Sequence, residues 1–216
     1  MIKTIIRPSD ALAIFFSELE HPLSNPQQQH VMRIVEGLIV GQGRKTLSQL
    51  YAHWVDAPDA SAVADFLRVS PWSDECLNQM VGEISLSDMI ERVKQDGIPP
   101  LVYVSFDDST TVKDKDTHAL EGVDWQHDHN TSGRGSAKYN KGMVHVSCRV
   151  EIGSYSVPFT YRIYLREKTV RQLNRKRSKE ERLRFKTKYQ LTREMLKELK
   201  PLLPKDCRFA DFSQVM

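Results

Sequence analysis

Leu101-Val-Tyr-Val-Ser-Phe106-Asp107-Asp108-Ser109-Thr110 is the stretch on which the fold turns. Its first six residues form a short, apolar, β-rich run, the mark of a buried sheet strand. Gly97-Ile-Pro99-Pro100 precedes it and resists helix, so a helical region ends there and an extended one begins. A carboxylate at the C-terminal end of a sheet strand sits where α/β folds place ligands. Adjacent strand residues point to opposite faces, so only one of Asp107 and Asp108 addresses a given site. Hard cations such as Mg²⁺ take oxygen ligands, and one or two carboxylates plus a substrate phosphate suffice. The competing reading is plainer: Asp, Ser and Thr are good turn residues, and Asp107 would then cap a turn.

Downstream, a polar stretch runs from Asp107 to Gly142, and Met143 to Val150 alternates as a second strand. Gly153-Ser154 is a turn signal, and Val157 to Leu165 reads as a third strand that closes a hairpin with the second. From Arg166 to Arg193 the chain is strongly basic, with Arg171, Arg175, Lys176, Arg177, Lys179, Arg182, Lys186 and Lys188 as candidate phosphate contacts. A solvated charged helix or a disordered insert is the alternative reading of the same charges. Phe185, Tyr189, Leu196 and Leu199 place a helix in its later part, to about Lys200, where Pro201 and Pro204 stop it. Cys207 to Ala210 starts a fourth strand.

Upstream, residues 1–98 read as helical. Val31, Ile34, Val35, Leu38 and Ile39 lie on one helix face, ended by Gly41 and Gly43. Thr46 caps a short helix through Leu47, Leu50 and Tyr51, and Asp56-Ala-Pro58 breaks it. Ser61 is expected to cap the next helix and Ser73 a longer one through Leu77, Met80, Val81 and Ile84. The pair between Thr46 and Arg68 has the dimensions of a helix-turn-helix, although plain packing units have them too. Only Arg68 on it would meet DNA, and Asp59 and Asp65 would repel phosphate.

Charge is unevenly shared. Residues 1–100 carry 8 Lys/Arg against 13 Asp/Glu, and residues 101–216 carry 23 against 15. A basic C-terminal half fits a polyanion partner, or a solvated surface. No apolar run reaches the roughly 20 residues a membrane span needs. The start of the chain lacks signal-peptide character. Cys76, Cys148 and Cys207 form neither a disulfide framework nor a zinc pattern, which fits a reducing cytoplasm. Asp124-Trp-Gln-His127-Asp128-His129 holds potential metal ligands, or is a polar loop. His145 and Cys148 fall on opposite faces of the second strand and read as packed residues.

The order of these features resembles the catalytic domain of bacterial insertion-sequence transposases of the DDE superfamily. The matching pieces are Ser105-Phe-Asp-Asp-Ser-Thr110, Leu120-Glu-Gly-Val-Asp-Trp125, the strand and turn from Val144 to Tyr155, and Pro158-Phe-Thr-Tyr-Arg-Ile-Tyr-Leu-Arg166. Arg44-Lys-Thr-Leu-Ser48, Phe66-Leu67 and Ser70-Pro-Trp72 resemble the family's helical lead-in. The resemblance implies an α/β (α+β) chain: a helical region over 1–98, then an incomplete RNase H-like domain with a mixed sheet over 99–216. It implies DNA transposition by metal-dependent phosphoryl transfer, in which three carboxylates hold two Mg²⁺ (or Mn²⁺) ions about 4 Å apart. The first family Asp falls on Asp107, with Asp108 as the alternative ligand, and the second falls on Asp211. The third would follow Met216, which implies a truncated, inactive fragment. Transposon-end DNA is the implied partner, with a homodimer beside it, and the implied setting is the bacterial cytoplasm and nucleoid. Two other readings stand: a non-catalytic DNA-binding regulator of transposition, and a single-metal nuclease or phosphatase pairing Asp107 with His127 and His129.

Overall fold

A computed structural model describes residues 5–18, 23–43, 45–57, 59–118, 120–127, 139–205 and 207–212. The chain divides into two compact units, Met1–Met80 and Val81–Met216, and the division falls inside one long helix.

The first unit holds helices α1 (Asp10–Glu18), α2 (Asn25–Val40), α3 (Leu47–Ala52) and α4 (Ala60–Val69). Thr46 caps α3 as its sequence predicts, accepting from the Gln49 N–H. The expected cap at Ser61 is corrected: Asp59 caps α4, and the Ser61 N–H donates to its Oδ1 at 2.8 Å. Asp caps as well as Ser does, and the helix gains its first turn by starting two residues earlier. Leu50, Tyr51 and Val63 form a small buried core with Ile34 and Leu47 against it. His30, Phe66 and Trp72 stack in sequence with centroids 5.2 Å apart at each step.

The helix α5 (Asp74–Gln95) begins with the Cys76 N–H donating to Ser73 Oγ at 3.1 Å, the cap the sequence predicts. The second unit then builds a sheet from β1 (Leu101–Val112), β2 (Asp124–His127), β3 (Tyr139–Ile152), β4 (Tyr155–Tyr164) and β5 (Arg208–Phe212). Between β4 and β5 lie α6 (Glu167–Asn174) and α7 (Lys188–Leu199). β3 runs antiparallel to β1 on one side, and to β4 and β2 on the other. β5 lies parallel to β1. Four strands joined by antiparallel pairs, a helical crossover and a fifth strand parallel to the first make a mixed sheet, the α/β arrangement that the resemblance implies. The β3–β4 turn uses Gly153 at φ 60°, which glycine adopts without steric cost.

Alternation fixes the buried face. Val102, Val104 and Phe106 of β1 and Val146, Cys148, Val150 and Ile152 of β3 meet Leu86, Met89 and Val93 of α5 and Leu191, Met195 and Leu199 of α7. A register shift between Cys148 and Arg149 makes both Phe159 and Thr160 of β4 buried. Pro158 is tolerated beside that irregularity because β4 pairs on one side only. α5 approaches β4 so closely that a Cβ at Gly82 would lie 2.1 Å from the Phe159 carbonyl oxygen.

Three local expectations change. The first strand extends six residues past Phe106, so Asp107 to Thr110 is strand and not a turn. Pairing supplies the reason: Asp107 to Val112 lie opposite Ser147 to Gly142 of β3, and a full ladder outweighs local turn preference. Asp124 to His127 is a strand, where the sequence shows a polar segment. The basic stretch is a helix, an irregular loop and a second helix. Asp128 and His129 lie outside the described residues.

Candidate functional site

β1 carries the two aspartates past the last described β1–β5 pair, Ser105 opposite Phe212. They therefore stand at the carboxyl edge of the parallel pair, although β1 itself continues to Val112. Asp107 is exposed on the solvent face of the sheet, with Tyr103 and Tyr161 also exposed there. It lies opposite Ser147, whose hydroxyl donates to the Asp107 carbonyl at 3.2 Å. Asp108 faces the other way, towards the helices, and is half-buried. Lys188 Nζ donates to its Oδ2 at 2.5 Å and sits 5.5 Å from the centre of the Tyr164 ring.

Lys188 is placed by the start of α7. Thr187 caps that helix, its Oγ1 accepting from the Gln190 N–H, while the Thr187 N–H donates back to Gln190 Oε1 at 2.9 Å. This Thr-x-x-Gln capping box is legible in the sequence. Its consequence, a cation delivered to a carboxylate 80 residues earlier, is not.

Asp211 lies on β5, where its backbone pairs beside Val104. That level is three residues short of Asp107, or ~10 Å along the strand. Among the described residues, no three His, Cys, Asp or Glu side chains converge to hold a metal ion. His127 packs edge-on against Tyr139. Asp124 is engaged elsewhere: Thr169 donates to it at 2.7 Å, and Arg166 lies 3.7 Å away. His145 packs against Tyr161, and Cys148 is buried with its thiol pushed up to about 12 by burial and, secondarily, by Glu198. That thiol is no nucleophile at neutral pH.

The eight basic candidates separate into two groups. Arg171 pairs with Glu167, Arg177 with Glu121, Lys186 with Glu194 and Lys188 with Asp108, each within 2.7 Å. Arg175, Lys176, Lys179 and Arg182 are exposed and have no ion-pair partner among the described residues. All four lie in one loop between α6 and α7. Asn174 closes its base: its Nδ2 donates to the Leu183 carbonyl, and the Leu183 N–H donates to its Oδ1, both at 2.8 Å. Sequence reading misses Asn174 because a polar residue at a helix end carries no sign of a partner nine positions away. In the first unit, the single cation of α4, Arg68, is tied to Asp65 at 2.7 Å.

A sheet of this order, with two helices between β4 and β5, defines a mixed α/β domain. The profile of the DDE superfamily endonucleases matches residues 18–211. The chain belongs to that family, whose members are transposase-like nucleases that use divalent metal and act on DNA. No curated protein and no solved structure matches the chain. Among the described residues, no helix is long and apolar enough to cross a membrane.

Proposed function

We propose that the chain is a transposase of the insertion-sequence type, acting on transposon-end DNA by metal-dependent phosphoryl transfer. The observation that carries the reading is the placement of Asp107 and Asp108. They stand on β1 just past its parallel partner, with Asp108 on the face towards the crossover helices and Asp107 on the opposite face.

The donor chemistry fits a hard divalent cation, Mg²⁺ or Mn²⁺. Asp107 is the proposed first ligand, and Asp211 is the proposed second. When bound, such an ion polarises phosphoryl oxygens and lowers the pKa of an attacking water. The chain's own residues bind the DNA backbone through Arg175, Lys176, Lys179 and Arg182, which are exposed in one loop. The alternative is a chain that binds DNA and a cation without strand cleavage. In nucleoid-associated use this amounts to a regulator of transposition, the non-catalytic alternative, and a homodimer is compatible with it.

A second reading exchanges the two aspartates, and one observation favours it. Asp108, and not Asp107, faces the crossover helices between which the basic loop lies, and the Lys188 ammonium already bound to it is a cation that a metal ion would displace. Duplex binding measured by anisotropy with and without Mg²⁺, in Asp107→Ala and Asp108→Ala, tests both. Mg²⁺-strengthened binding lost in one variant identifies the ligand. No binding at low salt would refute the DNA reading. Metal-dependent cutting of plain DNA, lost in Asp107→Ala, would replace it with a single-metal nuclease.

A further inference from the structure

The loop between α6 and α7 is built like a closed ring. One side chain closes the segment 175–182: Asn174, the last residue of α6, makes both a donor and an acceptor bond to the backbone of Leu183. An amide used this way imitates one rung of a β-ladder, and it holds the intervening residues as a compact surface loop. A second fastening comes from the side, where Arg177 pairs with Glu121 at 2.6 Å. α6, which leads into the loop, is itself tied to β2, with Thr169 and Arg166 both bonded there. Within the ring, Glu180 and Glu181 oppose the basic residues, and Ser178 Oγ donates to Glu181 at 3.1 Å.

We propose that Asn174 is a positioning residue that preorganises Arg175, Lys176, Lys179 and Arg182 as one phosphate-binding loop. The proposal rests on the DNA-binding reading above. Asn174 bears no charge and need not touch nucleic acid. Its work is done before binding, by removing conformational freedom that the loop would otherwise lose on meeting the phosphates. A residue of this kind has a signature distinct from that of a phosphate contact. Losing a cation that neutralises a phosphate lowers the salt dependence of binding by about one ion per contact. Losing a preorganising clamp weakens binding equally at every salt concentration, because the same cations still reach the same phosphates.

The test is duplex binding by the full chain across a salt series, in wild type, in Asn174→Ala, and in the combined Arg175, Lys176, Lys179 and Arg182 to Ala variant. Asn174→Ala is expected to weaken binding about fivefold to tenfold, with the slope against salt unchanged. The fourfold variant is expected to lose affinity and slope together. If the fourfold variant binds like wild type, the DNA reading of this segment is wrong and the proposal falls with it. If the fourfold variant weakens while Asn174→Ala matches wild type, or loses slope, the clamp is wrong and the DNA reading survives. Hydrogen exchange on the wild-type chain decides the matter without a variant. The Leu183 amide is expected to be protected in free protein, and exchange at the rate of an open loop would overturn the clamp.

Discussion

Gly82→Ala puts the packing of α5 on the sheet to a quantitative test. Alanine is the better helix former by ~1 kcal/mol, so an unobstructed site would be stabilised. Here the new methyl would meet the Phe159 carbonyl oxygen at 2.1 Å, its carbon at 3.2 Å and its Cδ2 at 3.3 Å. The first of these is backbone, in a strand ladder, and cannot swing aside. The helix must withdraw by more than ~1 Å, since ordinary carbon contacts begin near 3.5 Å. Gly82 shares its stripe with Leu86, Met89 and Val93, which are all buried, so withdrawal loosens their contacts with the sheet. Overpacking of this kind costs ~1–3 kcal/mol, which outweighs the propensity gain. The net expectation is a loss of ~1 kcal/mol, or ~2–4 °C in Tm for a chain of this size. Thermal and urea unfolding read it, with Ser87→Ala as control: Ser87 is exposed on the same helix, so only propensity acts there. If Gly82→Ala matched the control, α5 would not lie against β4 as described.

Thr187→Ala removes the capping box of α7 and is expected to cost ~1 kcal/mol, read as a lower Tm. Lys188→Met leaves Asp108 without its cation; Mn²⁺ binding followed by calorimetry should tighten severalfold if Asp108 is the metal ligand, and should not move if Asp107 is. Cys148 should be alkylated more slowly than Cys76 or Cys207 in folded protein, because it is buried and they are partly exposed. Its thiol also sets a pH dependence. Burial raises it from 9.0 to about 12, so the folded state keeps its proton where the unfolded state has lost it. That contribution is full below pH 9 and disappears as pH rises towards 12. Wild type should therefore lose stability over that interval more steeply than Cys148→Ala in pH-resolved unfolding.

What the sequence revealed depended on how local the cause was. The apolar run from Leu101 to Phe106, the Gly153-Ser154 turn, and the caps at Thr46 and Ser73 each rest on neighbouring residues, and each is present. The continuation of β1 through Asp107-Asp108-Ser109-Thr110 was hidden, because its stabilising ladder comes from β3, whose residues lie some forty positions later. β2 was hidden for the same reason, being held against Tyr139 to Gly142 of β3. Of the candidate site, the sequence offered the residue types and their order. Which aspartate faces the helices, which cations are already paired, and which asparagine closes the basic loop all follow from contacts between distant positions.

The central claim is that the Asp107–Asp108 step is where a divalent ion is held. Mn²⁺ added to isotope-labelled chain, with the amide spectrum recorded residue by residue, addresses it directly through paramagnetic broadening. The account predicts that broadening centres on Asp107 and Asp108 and on Val146 and Ser147 across the ladder, and that it disappears in the double alanine variant. Broadening centred instead on Asp124 to His127, or sharp signals throughout β1 at saturating Mn²⁺, would contradict it.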